Sequence, residues 1–370
     1  MGEENSFAEL PEALVEEMLN NTQALGVDLS KSFKNINDKK AELRKALIST
    51  HKLLRKDSDI MGSSSYPTTC GIDGSYGGES LLSTDITAMA GVAVEGLIPP
   101  KEVKYWEAPH YIAKVITLQH SDATSLIARA IMMTMELELA TKAPHDVVFT
   151  DGSMTTPFIY FNQALNRIRD VPSELSTYFI ERLELTLNSY IEVLSAVRSD
   201  RIYASLPKYT SRKEISKLVG MDGYEDRGLL SFILEPSELV GPIPLEQPSQ
   251  EWHINNPLKF KPLFDKIVNY LKEIHVIYYR PFAHVPALRI EVSKNVAQNN
   301  NRLSVLLEAI KLQCIGGGIM EPYPLYLADR MVKHLGTAVP AMRKAMMQEM
   351  AKDWGDDITG LYLAMHGYRT

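Results

Sequence analysis

Apolar residues recur at helical spacing near the start of the chain: Leu10, Leu14, Met18 and Leu19, then Leu43, Leu47, Leu53 and Leu54. This period predicts helix over residues 7–58. The pattern then changes. Residues 62–67 are a Ser-rich loop, and a short β-prone run follows that ends in Asp73. Gly77-Gly78 suits a hairpin turn, and residues 82–97 alternate small, β-branched and polar side chains as a return strand does. A third strand is expected near residues 103–108. Residues 121–142 are apolar on almost every side, which predicts a buried helix with Ser121 and Asp122 as its caps. Pro144 ends it, and the run 146–150 reads as a strand delivering Asp151.

Beyond that point helices and strands alternate. Helices are expected at 157–170 and 173–198, the second with Leu183, Leu187, Tyr190, Ile191 and Leu194 as its stripe. A strand over 201–206 and a short helix over 224–234 follow. Residues 235–256 hold Pro236, Pro242, Pro244 and Pro248 and read as a long loop or lid. Then come a helix (260–273), two β-rich runs (274–280 and 285–292) and a helix (298–313). A further helix is opened by Pro322-Tyr323-Pro324, and a last one spans 339–353. Met342, Met346, Met347 and Met350 in that last helix form a stripe of the kind that fills a core or an interface. The alternation predicts an α/β protein. Its parts are a helical arm (1–60), a main domain (61–337) and a helical extension (338–370).

Composition narrows the class. The 370 residues are 45% apolar and 23% charged, as in an ordinary soluble domain. A net charge of −7 argues against a histone-like binder, though a basic groove alone can hold nucleic acid. Lys39, Lys40, Arg44, Lys45, Lys52, Arg55 and Lys56 read first as a solvated helix face. Cys70 and Cys314 are the only cysteines, too few for a disulfide framework or a Cys-rich zinc site, and a reducing cytoplasm is the simple expectation. The first residues lack a signal-peptide core, and no run approaches the ~18 apolar residues of a membrane span.

One phrase occurs twice, as Asp73-Gly74-Ser75 and Asp151-Gly152-Ser153. Each follows a β-prone run and is expected to end a strand in a turn. If the two strands are neighbours, two carboxylates converge, and converging carboxylates suit Mg²⁺ or Mn²⁺. Between them, the buried helix carries Glu136 and Glu138. Glutamate is seldom buried unless it is paired or bound to metal. Two residues apart on a helix, they face different sides, so at most one points at the aspartates. Such a set is the equipment of phosphodiester cleavage, in which two cations about 3.5–4 Å apart serve the attacking and leaving oxygens. A three-strand meander, a helix and a further strand with acidic ends is the layout of an RNase H-like mixed sheet flanked by helices. The basic, hydroxyl-rich run Lys208-Tyr209-Thr210-Ser211-Arg212 after a strand reads equally as a phosphate-holding turn or an ordinary surface turn. An Asp-Gly pair alone is usually just a turn.

Taken in order, these pieces resemble the NurA nuclease family, the partner of the HerA ATPase, over residues 68–335. The strongest are Ile72-Asp73-Gly74-Ser75, Glu136-Leu137-Glu138-Leu139-Ala140 and Phe149-Thr150-Asp151-Gly152-Ser153-Met154. Supporting pieces are 206–212, Asp226-Arg227-Gly228 with Leu234-Glu235-Pro236, 286–292 and 322–329. The resemblance implies an RNase H-like fold, a homodimer and Mn²⁺-dependent cleavage of DNA. It also implies docking on a HerA-type hexameric ATPase, with a role in end resection, a part of DNA repair, or in defence against phage. Carried over, it makes Asp73, Glu136 and Asp151 metal ligands, with Glu138 in reserve for Glu136. The family usually has Tyr where Glu321 stands and His where Asp329 stands. Asp329 can replace that His as a ligand, and His284 can supply an imidazole from the preceding strand. Lys208, Arg212 and Arg289 are the candidate phosphate contacts, each also readable as a structural surface charge, and His284 is a further candidate DNA contact.

Two other function classes compete. An actin-like ATPase would need further glycine-rich phosphate loops, and Gly316-Gly317-Gly318 lacks the flanking pattern. A non-catalytic adaptor would keep the fold without needing the three acids.

Overall fold

The computed structural model describes residues 10–62, 66–81, 84–99, 104–168, 173–249, 252–254 and 259–354. A long helix, α1 (Glu12–Lys45), leads in. Its outer part is exposed, and Ile36 and Leu43 anchor its inner end. The expected helix to residue 58 stops early, because Leu54–Lys56 form an edge strand, β1. The meander follows: β2 (Thr69–Ser80), β3 (Thr84–Glu95) and β4 (His110–Gln119). Next come α2 (Thr124–Lys142), β5 (Val147–Asp151), α3 (Thr156–Arg167), α4 (Ser173–Ser195) and β6 (Ile202–Leu206). The second half holds α5 (Glu214–Leu218), α6 (Asp226–Ile233), β7 (Glu238–Pro244), α7 (Lys261–Leu271), β8 (His275–Arg280) and β9 (Leu288–Val292). It closes with α8 (Lys294–Ala297), α9 (Asn300–Gln313) and α10 (Tyr323–Trp354).

The described strands form one nine-stranded mixed sheet in the order β1-β7-β8-β9-β6-β5-β2-β3-β4. β2, β3 and β4 are antiparallel neighbours, and β5 runs parallel to β2 and to β6. This is the expected α/β layout, a mixed sheet flanked by helices with helical parts at both ends. Glycines show why the helices sit so close. A Cβ on Gly71 would meet the backbone of Pro324 and Leu325 on α10, whereas one on Gly74 would meet Glu136 and Met132 on α2. These positions are three apart on a strand and so face opposite sides. β2 is therefore sandwiched between α2 and α10, and Asp73 shares the α10 side with Gly71.

Several expectations are corrected. Gly77-Gly78 is no turn: both residues pair in register with Ala88 and Thr87, and β2 continues to Ser80. The third strand lies at 110–119, where Ile116 and Leu118 alternate inward; residues 100–103 are outside the described residues. The Pro-rich stretch includes β7, which accommodates Pro242 at a register shift between Val240 and Ile243. The last two helices are one, since α10 runs through Gly336 and Pro340, and the division expected at 337/338 falls inside it. Its second half covers Leu81, Ile86 and Ala88 with Val339 and Met347, a small core of its own. Residues 355–370 of the expected extension lie outside the described residues. No described helix is long and apolar enough to cross a membrane. Both cysteines are free and buried.

Candidate metal centre

The parallel register sets Ile72 beside Thr150, which brings Asp73 and Asp151 side by side. Each carboxylate accepts a hydrogen bond from the next residue's N–H, Gly74 at 2.8 Å and Gly152 at 2.7 Å. Asp329, on the first turns of α10, completes a trio whose ligand oxygens all lie within 4.8 Å of one another. Glu136 comes from α2 on the other side of β2. Its carboxyl lies where a side chain at position 74 would be, with Oε1 2.3 Å from that Cβ position. All four acids line one cleft of about 630 Å³, together with Tyr160, Lys208, Arg212 and Lys333.

Lys208 sits among the acids. Its ammonium is 3.2 Å from Asp151, 3.3 Å from Glu321 and 3.0 Å from Asp329. Lys333, one helical turn beyond Asp329, pairs with it at 2.6 Å. Electrostatics separates the acids. Burial first, then the charge of Asp151, pushes Asp73 up to about 8, against the Gly74 N–H and Lys208. Burial, then Asp73 and Asp151, raises Glu136 well above the carboxylate range. Burial also acts on Asp329, but hydrogen bonds from Lys333 and Lys208 outweigh it and hold this carboxyl below its ordinary value. Crowded carboxyls that resist ionising lack counter-charge, and a divalent cation supplies that charge. The donor set is all oxygen, which suits a hard cation such as Mn²⁺ or Mg²⁺.

The other expected residues divide. Glu138 faces away and pairs with Lys142 at 2.7 Å and Arg182 at 3.0 Å. Arg212 lines the cleft, with its guanidinium 3.3 Å from the carbonyl of Glu246. Arg289 is not on the cleft surface: it is 1% exposed, and its guanidinium is engaged by Glu214 and Glu291. A phosphate cannot displace those partners without leaving two carboxylates buried and unpaired. His284 stacks on Phe282 and lies 3.3 Å from the carbonyl of Cys314, apart from the acid trio. The sequence reading overlooked Lys333, whose signal was its i+4 spacing from Asp329. It also overlooked Glu291, whose carboxylate accepts from Ser153 Oγ at 2.7 Å and Met154 N at 2.9 Å. A strand glutamate distant in sequence gives no sign of such a contact.

Fold and cleft define an α/β protein with a carboxylate-lined site fit for a divalent cation. A NurA domain matches residues 67–334, and the chain belongs to the NurA family. The structure is similar to the crystal structure of the NurA nuclease from Sulfolobus solfataricus, at 12% identity and a TM-score of 0.59, covering 93% of this chain and 100% of that one. A second NurA crystal structure aligns at 14% identity and a TM-score of 0.53, covering 90% of this chain and 99% of the other. A third, bound to dAMP and manganese, aligns at 14% identity and a TM-score of 0.51 over 87% of this chain and 94% of that one. At these identities the likeness is one of fold. No curated protein sequence matches the chain significantly.

Proposed function

We propose that this chain is a metal-dependent deoxyribonuclease that hydrolyses phosphodiester bonds. The convergence of Asp73, Asp151 and Asp329 in one cleft carries the reading. Asp73 and Asp151, with Asp329 standing where the family usually has His, would hold Mn²⁺ or Mg²⁺, and Glu136 would join from α2. A cation held there would supply the charge that lowers the pKa of a bound water and offsets the charge of the phosphate and the leaving oxygen. The protein's own part is placement. The middle of β2, the end of β5 and the helices α10 and α2 fix the carboxylates, and the Gly74 and Gly152 N–H groups orient the two aspartates. Lys208 neutralises the acids in the free site and is placed to meet a phosphate entering the cleft, with Arg212 on its rim. NurA structures with manganese, and with dAMP and manganese, support both the metal and a nucleotide substrate.

Family membership supports the rest of the reading: a homodimer, a HerA-type hexameric ATPase as partner, and a cytoplasmic role in DNA end processing or defence against phage. The test is cleavage of end-labelled single- and double-stranded DNA with Mn²⁺, Mg²⁺ or EDTA, by wild type, Asp73→Ala and Asp151→Ala. Metal-dependent cleavage lost in both variants is expected. No cleavage by wild type, alone or with a HerA-type ATPase, would leave an adaptor that keeps the fold. Cleavage surviving both substitutions would place the chemistry elsewhere.

A further inference from the structure

Arg289 is the largest fully buried side chain among the described residues. Its Nε donates to Glu291 Oε1 at 3.0 Å, and its two terminal nitrogens fork onto Glu214 at 2.9 and 3.0 Å. It also donates to the Tyr278 hydroxyl, which donates onward to Asp226 at 3.0 Å. Asp226 in turn accepts from the N–H groups of Ile215 and Ser216 at the start of α5, at 2.9 and 2.7 Å.

What the two carboxylates hold gives this network its meaning. Glu291 grips Ser153 and Met154, the two residues after Gly152 in the turn that presents Asp151. Glu214 opens α5 directly after the turn that presents Lys208. One guanidinium therefore spans the two turns whose side chains, Asp151 and Lys208, meet at 3.2 Å. Arg227 braces the same joint. Its guanidinium donates to the carbonyl of Lys208 and, at 3.2 Å, to that of Ala287 just ahead of β9. Buried ion networks of this kind seldom add stability over an apolar core of equal volume. A forked, planar group is well suited to fixing two elements at a set distance and angle.

We propose that Arg289 and Glu291 are positioning residues of the carboxylate site, a clamp that fixes the Asp151 turn against the Lys208 turn. The proposal rests on the metal-site reading above. It is tested on the full chain with Mn²⁺ alone as probe, binding being read from the paramagnetic resonance signal of free Mn²⁺. Cleavage kcat, KM for single-stranded DNA and Tm are measured beside it. Glu291→Gln keeps the shape but loses the charge, and Arg289→Lys keeps the charge but loses the fork. Each is expected to weaken Mn²⁺ affinity or kcat by roughly 10–100-fold, the usual effect of removing an outer-shell partner. KM should stay within about twofold, because Arg289 is buried and the Glu291 carboxylate, though at the cleft wall, is already bound by Arg289, Ser153 and Met154. Ser153→Ala removes one contact to Glu291 together with the turn's own bonds to Thr155 N and Oγ1 and spares the ion network, so about fivefold or more is expected, at least one ordinary hydrogen bond.

Wild-type Mn²⁺ affinity and kcat in all three variants, with only Tm lowered, would make the network a folding device and overturn the proposal. Should the two charged-site variants fail to fold, Ser153→Ala decides alone, and wild-type values there overturn it. A wild type that binds Mn²⁺ but cuts nothing, with affinity lost in the variants, upholds the clamp and removes the nuclease reading. A wild type that binds no Mn²⁺ removes both.

Discussion

The two Asp-Gly-Ser phrases are identical in sequence and different in structure. At the second, β5 stops at Asp151, Gly152 takes a left-handed φ of 76°, and the chain turns towards α3. At the first, β2 runs on past Asp73 for seven more residues, to Ser80, fully paired with β3. Gly74 has no turn to make there. It is glycine because Glu136 occupies the place of its side chain. The same residue type thus solves a problem of backbone conformation at one site and of packing at the other. The carboxylates differ as well. Asp73 is buried beside α10, whereas Asp151 is partly exposed at the cleft and already paired with Lys208.

If the two aspartates nonetheless serve one metal centre, removing either charge should be equally damaging. Asp73→Asn and Asp151→Asn are each expected to lower cleavage by about 10³-fold or more, the several kcal/mol that a metal's charge stabilisation supplies. Thermal stability should rise in Asp73→Asn, which relieves a crowded buried acid. It should change little in Asp151→Asn, where the lost repulsion is offset by the lost pairing with Lys208. Activity assays beside melting curves separate these outcomes. A large difference in residual activity would break the equivalence.

How much of this was legible follows from the range of each interaction. Strand β5 and helix α2 announce themselves locally, by a β-branched run before Asp-Gly and by an apolar helix that carries buried acid. The pairing of Asp73 with Asp151 was legible once β2 and β5 were taken as neighbours. β7 was illegible because Pro242 sits at a register shift, a device visible only from the partner strand, and Pro244 only at the strand's last residue. The continuity of α10 through Gly336 and Pro340 was hidden for the opposite reason, since local breakers were overridden by packing on β2 and β3. Arg289 reads from the sequence as a phosphate contact because a lone arginine in a strand says nothing of the two glutamates that meet it, one of them 75 residues away. Position 329 was legible as a departure from the family's pattern, and the structure puts its carboxylate beside the other two.

The electrostatic contrast between the aspartates gives the second test. Asp73 titrates near 8 in the metal-free site, chiefly through burial and then through Asp151. A carboxyl raised above its unfolded value, roughly 4, contributes stability that is whole below that value and is lost as the pH rises through the folded one. The metal-free protein should therefore lose Tm steadily between about pH 4 and pH 8. Saturating Mn²⁺ should flatten the loss. The Asp73 proton must leave for the metal to bind, so Mn²⁺ affinity should fall by about tenfold for each unit below pH 8, and more steeply where Glu136 gives up its proton as well. In Asp151→Asn the neighbouring charge is gone, and the metal-free slope should shift to lower pH. Melting curves from pH 5 to 9, with and without Mn²⁺, read both effects. Because buried His145, held below its ordinary value, contributes the opposite slope, the Asp73 share is read as the difference from Asp73→Asn, and a slope unchanged in that variant would contradict the raised titration of Asp73.

The smallest effects come from the two glycines and bear most directly on their difference. Gly152 needs only its left-handed backbone, because the nearest neighbour of an added Cβ is Thr156 Oγ1 at an ordinary 3.8 Å. Asparagine visits that conformation readily, so Gly152→Asn should melt close to wild type, while Gly152→Ala should cost about 1–2 kcal/mol. Gly74 needs space instead. Its added Cβ would lie 2.3 Å from Glu136 Oε1 and 2.7 Å from Met132 Cγ, so alanine and asparagine should both be resisted. Overpacking of that kind costs about 1–3 kcal/mol. It would also push Glu136 away from the acids, so Gly74→Ala should lose Mn²⁺ affinity as well as Tm. Pairing it with Glu136→Ala removes the closer contact but leaves Met132 Cγ at 2.7 Å, so it should restore part of the Tm without restoring cleavage. If Gly74→Asn were tolerated and Gly152→Asn were not, the assignment of turn and packing roles to the two phrases would have to be reversed.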